Sequence, residues 1–469
     1  MIEIIPVDTP SLGDRGYLVA DGEIAFVVDP QRDIDRILRL AERRGVEIRH
    51  VFETHVHNDY VTGGPALAAA TGADYHVNAA DPMTFDRSPL DDGDVVEIGP
   101  RTRVRAVATP GHTFTHLSYV LESPDRPPAV FTGGSLLHGT TGRPDLLGPQ
   151  HTGTLVRAQY ASAHRLAREL PAETDVFPTH GFGSFCSATQ SEVTESTIGR
   201  ERRVNPVLTR SEDEYVESLL AGLDAYPAYY AHMAPLNQAG PDAPDLSPPH
   251  RADAAELRRR LRAGEWVVDL RSRTAFAAGH LAGTLNFGLD GNLAVYLGWL
   301  IPWSSSGTPR TPVTLLGETP RDIAQAQREL VRIGIDRPAA AATGGPADWT
   351  GDDKPASMPT ATFADLAAVR RHRPVVVLDV RREVEWRESH IPGAVHIPLH
   401  ELPGRLDEVP DGEVWTHCAS GYRASIAASI LAAAGREGDV VAVHDDYDPH
   451  TVILRFAADD GADLARHPS

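Results

Sequence analysis

Short apolar runs punctuate the first half of the chain: IEIIPV, GYLVA, IAFVVD, HVFET, RVRAVAT, PAVFTGG and DVFPTH. Runs of this length and composition predict strands, and the amphipathic stretches Arg32 to Arg44 and Gly153 to Leu170 between them predict helices. The region is therefore α/β, with its polar motifs at strand ends. Two stretches poor in periodicity, Leu236 to His250 (LNQAGPDAPDLSPPH) and Arg337 to Thr360 (RPAAAATGGPADWTGDDKPASMPT), read as linkers.

After the first linker the pattern repeats. VVDLRSRTAFAAGHLAGTLNFGL from Val267 recurs as VLDVRREVEWRESHIPGAVHIPL from Val377. Asp269, Arg271, Phe276, His280, Gly283 and Leu289 line up with Asp379, Arg381, Trp386, His390, Gly393 and Leu399. Alternating short strands and helices make these two copies of one small α/β domain. The expected domains are 1–235, 250–340 and 360–465, which suits a chain of 469 residues.

Composition narrows the function classes. Apolar residues make up 41% and charged residues 23%, as in water-soluble globular proteins. A net charge of −21 repels phosphate backbones and anionic lipid, so neither nucleic acid nor membrane is an expected partner. No apolar run reaches the roughly 18 residues of a membrane helix, and MIEIIPVDTPSLGD has no signal-peptide pattern, which predicts a cytoplasmic location. Two cysteines, Cys186 and Cys418, do not make a disulfide framework.

The run HVFET leads into THVHNDY, which sets His55, His57 and Asp59 at alternate positions of one loop. TPGHT places His112 after RVRAVAT, and FPTHG places His180 after DVFPTH. Histidines recurring in order at strand ends point to a metal site for zinc or iron. These residues resemble the metallo-β-lactamase superfamily over about residues 1 to 235, which implies an αββα sandwich. GRPDLLG, GFGSFC and STIGRERR are similar to the branch of persulfide dioxygenases fused to rhodanese domains. That likeness implies mononuclear Fe(II) held by His55, His112 and an Asp in a Phe-Thr-Gly-Asp turn, with Arg143 beside a low-molecular-weight thiol persulfide. In glyoxalase II-type zinc hydrolases the same Asp bridges two metals, His57 joining one and Asp59 and His180 the other.

Here the turn reads FTGGSLL, so Gly134 stands in place of the acid, and Tyr60 replaces a frequent histidine. Three arrangements remain: a face of His55, His57 and His112, Asp59 as the acid, or no metal. Restoring the acid with Gly134→Asp would test a simple missing ligand. Cys186 has no adjacent base and reads as packed.

Near the end, GEVWTHCASGYRASIAASILAAAG reads as a strand, the turn Cys418-Ala419-Ser420-Gly421-Tyr422-Arg423, and an Ala-rich helix. Backbone N–H groups opening a helix converge with Arg423 on a thiol, which suits Cys418 to carry sulfane sulfur. The turn resembles the active loop of rhodaneses, and residues 360 to 460 carry the family's other segments. In the first copy VTLLGETPRD puts Gly317 about where Cys418 sits, and that copy reads as silent. The expected protein is a sulfur-metabolism enzyme, oxidising a thiol persulfide to sulfite and transferring sulfur through Cys418, with thiosulfate or sulfite as partner. The rivals are a zinc thioester hydrolase and a sulfurtransferase with a metal-free scaffold domain. Self-association is left open.

Overall fold

The computed structural model describes residues 2–189, 193–436 and 438–452. The chain divides into two compact units, one of Met1–Asp245, Ser305–Thr308 and Leu330–Asp336, the other of Leu246–Ser304, Pro309–Glu329 and Arg337–Ser469. The end of the expected domain 360–465, from 453 on, lies outside the described residues.

In the first unit, one six-stranded sheet runs Ile2–Thr9, Asp14–Asp21, Ile24–Val28, Glu47–Phe52, Asp74–Asn78, Ser88–Leu90. The other runs Ser196–Thr197, Asp175–Pro178, Ala129–Gly133, Leu117–Glu122, Thr102–Ala108, Val95–Gly99. Strand alternation sorts the side chains. Phe26 and Val28 join Phe52, Tyr119 and Phe131 between the sheets, whereas Ala25 and Val27 face Ile37 and Ala41 of the helix Asp35–Arg44. On the far side, Val156, Ala163 and Leu166 of the helix Pro149–Glu169 cover Val107, Val120 and Val130. The layers are thus α, β, β, α. Strands Asp74–Asn78, Ser88–Leu90, Val95–Gly99, Leu117–Glu122 and Ser196–Thr197, absent from the sequence-based set, complete the two sheets.

The second unit holds two parallel sheets. The first copy orders Leu285–Asn286, Trp266–Asp269, Val313–Gly317, Ala340–Thr343. The second orders Val395–His396, Val376–Asp379, Val414–His417, Val440–Val443, Thr360–Ala361. The last strand of the second copy has a counterpart in the first as a single bridge, Arg251 to Ala341.

The stretch 337–360 is not a plain spacer. Ala340–Thr343 pairs with Val313–Gly317 as the fourth strand, and the helix Pro346–Thr350 buries Trp349, with Arg271 over its ring. An alanine-rich run reads as a linker by composition, yet small side chains suit a strand buried on both faces. Leu236 to His250 likewise begins inside the helix Tyr230–Ala239. Among the described residues no helix is long and apolar enough to cross a membrane.

Candidate functional site

The first candidate lies where the strands Glu47–Phe52, Thr102–Ala108, Ala129–Gly133 and Asp175–Pro178 end. Their following loops carry His55, His112 and His180, whose ligand atoms lie within 4.8 Å of one another. Each ring has its Nδ1 engaged from behind. His55 Nδ1 lies 2.9 Å from Thr54 Oγ1, His112 Nδ1 2.9 Å from the Arg143 carbonyl, and His180 Nδ1 2.8 Å from Asp14 Oδ1. Such partners set a ring's tautomer, with Nδ1 protonated and the Nε2 lone pair turned inward. His55 Nε2 and His180 Nε2 are 3.4 Å apart, and His112 Nε2 has no hydrogen-bond partner.

His57 is oriented differently. Its Nε2 faces Glu53 Oε2 at 3.1 Å, Asp29 Oδ1 at 3.3 Å and the Tyr60 hydroxyl at 2.9 Å. Its Nδ1 is unpartnered and lies 4.0 Å from Asp59 Oδ1, so His57, Asp59 and His180 form a second ligand group. Burial opposes a charge on His57, but Asp29 and Glu53 outweigh it and push the ring up to about 9. At His180 burial is likewise outweighed by Asp59 and Asp14, which raise it to about 10. This corner of the pocket therefore demands positive charge, which a metal ion beside a neutral His180 meets as a proton does.

All four imidazoles are at most 2% exposed. His112 Nε2, His57 Nδ1 and Asp59 Oδ1 are buried without a hydrogen-bond partner, and their lone pairs are what a bound cation would satisfy. The residues present fit a metal.

Three supporting residues escaped the sequence reading. Asp29 accepts from Thr54 N and Thr54 Oγ1, each at 2.7 Å, and from Thr179 Oγ1, tying the His55 and His180 loops together. Its one signal is a carboxylate closing an apolar strand, IAFVVD. Asp14 and His116 had no distinguishing pattern. His116 Nε2 accepts the Gly134 N–H at 3.1 Å and stacks on His55.

Gly134 is not a plain vacancy for a carboxylate. A Cβ there would lie 2.2 Å from His112 Cδ2, so the imidazole would have to shift to admit any side chain. Arg143 is turned to the protein: Nε and Nη2 hold Asp145 at 2.7 and 2.8 Å, and the other donors reach the Phe185 and Asp224 carbonyls. Cys186 is fully buried, and burial pushes its thiol well up. Tyr229 and Tyr230 are buried beside it.

The second candidate lies in the other unit. The strand Val414–His417 delivers Cys418 into a loop that ends at Gly421, whose φ of 89° lets the helix Tyr422–Leu431 begin abruptly. The Gly421 N–H reaches Cys418 Sγ at 3.1 Å. Arg423, on the helix's first turn, makes a bidentate pair with Glu385 at 2.6 and 2.7 Å. Burial would raise Glu385, but this guanidinium dominates and holds it at about 2. Tyr422 sends its hydroxyl to the Gly288 carbonyl of the first copy at 2.9 Å, and the Ala419 carbonyl accepts from Tyr447 N. Beyond Arg423 a small pocket is walled by Arg382, Leu399 and His400, with Tyr296 and Trp299 from the first copy.

Residues 16–180 match the metallo-beta-lactamase superfamily and residues 362–448 the rhodanese-like domain. The chain therefore joins a metallo-beta-lactamase domain to a rhodanese-like domain. A hydroxyacylglutathione hydrolase of Polaromonas sp. is 36% identical over 172 residues, covering 35% of this chain and 61% of that protein. The human mitochondrial persulfide dioxygenase ETHE1 is 29% identical over 205 residues, covering 43% of this chain and 74% of that protein. A solved metallo-beta-lactamase of Staphylococcus aureus shares the fold, with a TM-score of 0.63 at 23% identity over 73% of this chain and 99% of its own. The chain spans about three fifths of the length of the first curated relatives it matches.

Proposed function

We propose that this chain is a sulfur-metabolism enzyme: its first unit oxidises a low-molecular-weight thiol persulfide at a mononuclear metal centre, and Cys418 transfers sulfane sulfur. The observation that carries the reading is the Gly421 N–H directed at Cys418 Sγ beside the Glu385-held Arg423. The N–H and the helix N-terminus put positive potential at the sulfur. Cys418 then attacks the outer sulfur of thiosulfate, the S–S bond breaks, and sulfite leaves with the bonding electron pair. The resulting cysteine persulfide yields that sulfur to an acceptor nucleophile, and the thiol is restored.

In the first unit, His55, His112 and His180 would hold the ion through Nε2, with Fe(II) as the metal a persulfide oxidation needs. A bound ion supplies Lewis-acid and redox chemistry for a sulfur substrate and dioxygen. The chain's own part is orientation and exclusion. Thr54, the Arg143 carbonyl and Asp14 fix the rings, while Tyr229 and Tyr230 add to the apolar bulk around the pocket. A second reading, a two-metal thioester hydrolase, is favoured by the His57, Asp59 and His180 group and by the hydrolase relatives.

Metal counting tests both. His112→Ala and His180→Ala should each lower metal affinity by about tenfold or more, the scale of losing a fixed ligand or its support. His57→Ala should leave one ion bound and persulfide-dependent oxygen uptake measurable. Two ions per chain, both lost in His57→Ala, with turnover of an acyl-glutathione, would establish the hydrolase instead. Gly134→Asp should lower bound metal by displacing His112, whereas a rise would restore the reading of a simple missing ligand.

A further inference from the structure

Asp74 and His76 stand two residues apart on one strand and therefore share a face. The parallel neighbour Glu47–Phe52 sets His50 opposite Asp74. His50 lies two residues before Phe52 on that strand and so shares its face. His76 stacks on Phe52 at 4.6 Å and 17°, which holds its ring in place. His50 Nδ1 lies 3.1 Å from His76 Nε2 and 3.9 Å from Asp74 Oδ2, and the three ligand atoms all lie within 4.8 Å. Two nitrogens on one tetrahedral zinc, at about 2.0–2.1 Å each, are separated by roughly 3.3 Å. The two imidazoles already stand at nearly that separation.

None of these residues belongs to the His55, His112 and His180 group. The setting also differs, because the Asp74 side chain is 66% exposed, leaving one side of the cluster open to water. At 3.1 Å the two ring nitrogens share one proton in an N–H···N hydrogen bond, and a metal ion bound by both would take that proton's place.

We propose that His50, Asp74 and His76 form a second metal site, taking a divalent transition ion of the zinc class and clipping the strand Glu47–Phe52 to Asp74–Asn78. Two imidazoles and one carboxylate suit that class, and the open side leaves room for water as a fourth ligand. Magnesium and calcium, which want more oxygen ligands, should not compete.

Zinc(II) titration of the full chain, followed by native mass spectrometry and thermal unfolding, tests this. The parent should hold one more zinc than His50→Gln at saturation, and zinc should raise the Tm of the parent more than that of the variant. Asp74→Ala, at a solvent-facing side chain, should weaken the extra ion by about tenfold or more and serves if His50→Gln does not fold. Magnesium(II) should add no ion. Equal zinc counts and equal Tm shifts in parent, His50→Gln and Asp74→Ala would overturn the proposal, whatever the ions at His112 do.

Discussion

The two copies in the second unit repeat each other almost bond for bond until the thiol loop, where they part. Arg271 Nε and Arg381 Nε each bond their aspartate, Asp269 or Asp379, at 3.0 Å. Each guanidinium then continues to a backbone carbonyl, of Gly279 or Ser389. Phe276 stacks on His280 at 3.9 Å and 12°, Trp386 on His390 at 3.9 Å and 13°. Asp269 pairs with Leu316 across the sheet and Asp379 with His417, so Gly317 and Cys418 are equivalent. Counting on from these anchors, Asp322 stands for Arg423 and Ala275 for Glu385. The thiol, its arginine and the arginine's carboxylate are missing together, while the Asp–Arg pair and the ring stack remain. Glu385 is thus lost together with the thiol and its arginine, whereas the Asp379 pair is kept with the fold.

The largest effect should come from Cys418→Ser, which should lower thiosulfate-to-cyanide sulfur transfer by at least about a thousandfold, a hydroxyl being a far weaker nucleophile at neutral pH. Substantial residual activity would break the comparison, since the first copy has no cysteine to take over. Adding Gly317→Cys should not restore it, because the new Cβ would press on the Asp322 side chain at 2.9 Å and an aspartate stands where the second copy has Arg423.

Glu385→Ala makes the second copy resemble the first at one position. Sulfur transfer should fall by roughly ten- to a hundredfold, and stability by about 1–3 kcal/mol, because Arg423 is left charged with little solvent. Glu385→Gln should recover part of the stability and less of the activity. Equal kcat/KM in Glu385→Ala and the parent would return Glu385 to the scaffold.

Asp269→Asn and Asp379→Asn form a matched pair. Each should destabilise by about 2–4 kcal/mol, since each leaves a buried arginine short of its counter-charge, and the two losses should agree within about 1 kcal/mol. Burial raises Asp379, but His417 and Arg381 overcome this and hold it below its ordinary range. Its stabilisation is thus complete above the usual aspartate range and fades as pH falls through the lowered folded value. Acid unfolding of Asp379→Asn should accordingly be less steep than that of the parent. The smallest change should be Ser429→Ala. It removes the acceptor of the Asn286 N–H at 3.0 Å, one of the bonds joining the copies, and should lower Tm by an amount corresponding to about 1 kcal/mol.

The internal repeat, the α/β alternation and the Cys418 loop were legible from the sequence because each is a local pattern. Strand alternation, a glycine that permits a left-handed turn and a helix that follows at once are properties of neighbouring residues. The histidines at strand ends were legible for the same reason, as were the domain types they imply. Their grouping was not. His57 sits two residues from His55 yet turns to Asp29 and Glu53, while His180 comes from far along the chain to stand 3.4 Å from His55. Packing of one sheet on the other decides which loop tips meet, and it also presses the His112 ring against the place a Cβ at position 134 would take. The buried strand Ala340–Thr343 was hidden likewise, since small residues announce neither a core nor a linker until a neighbouring strand pairs with them. Short-range patterns thus determined the elements and the reactive residue types, and only long-range packing determined which of them share a site.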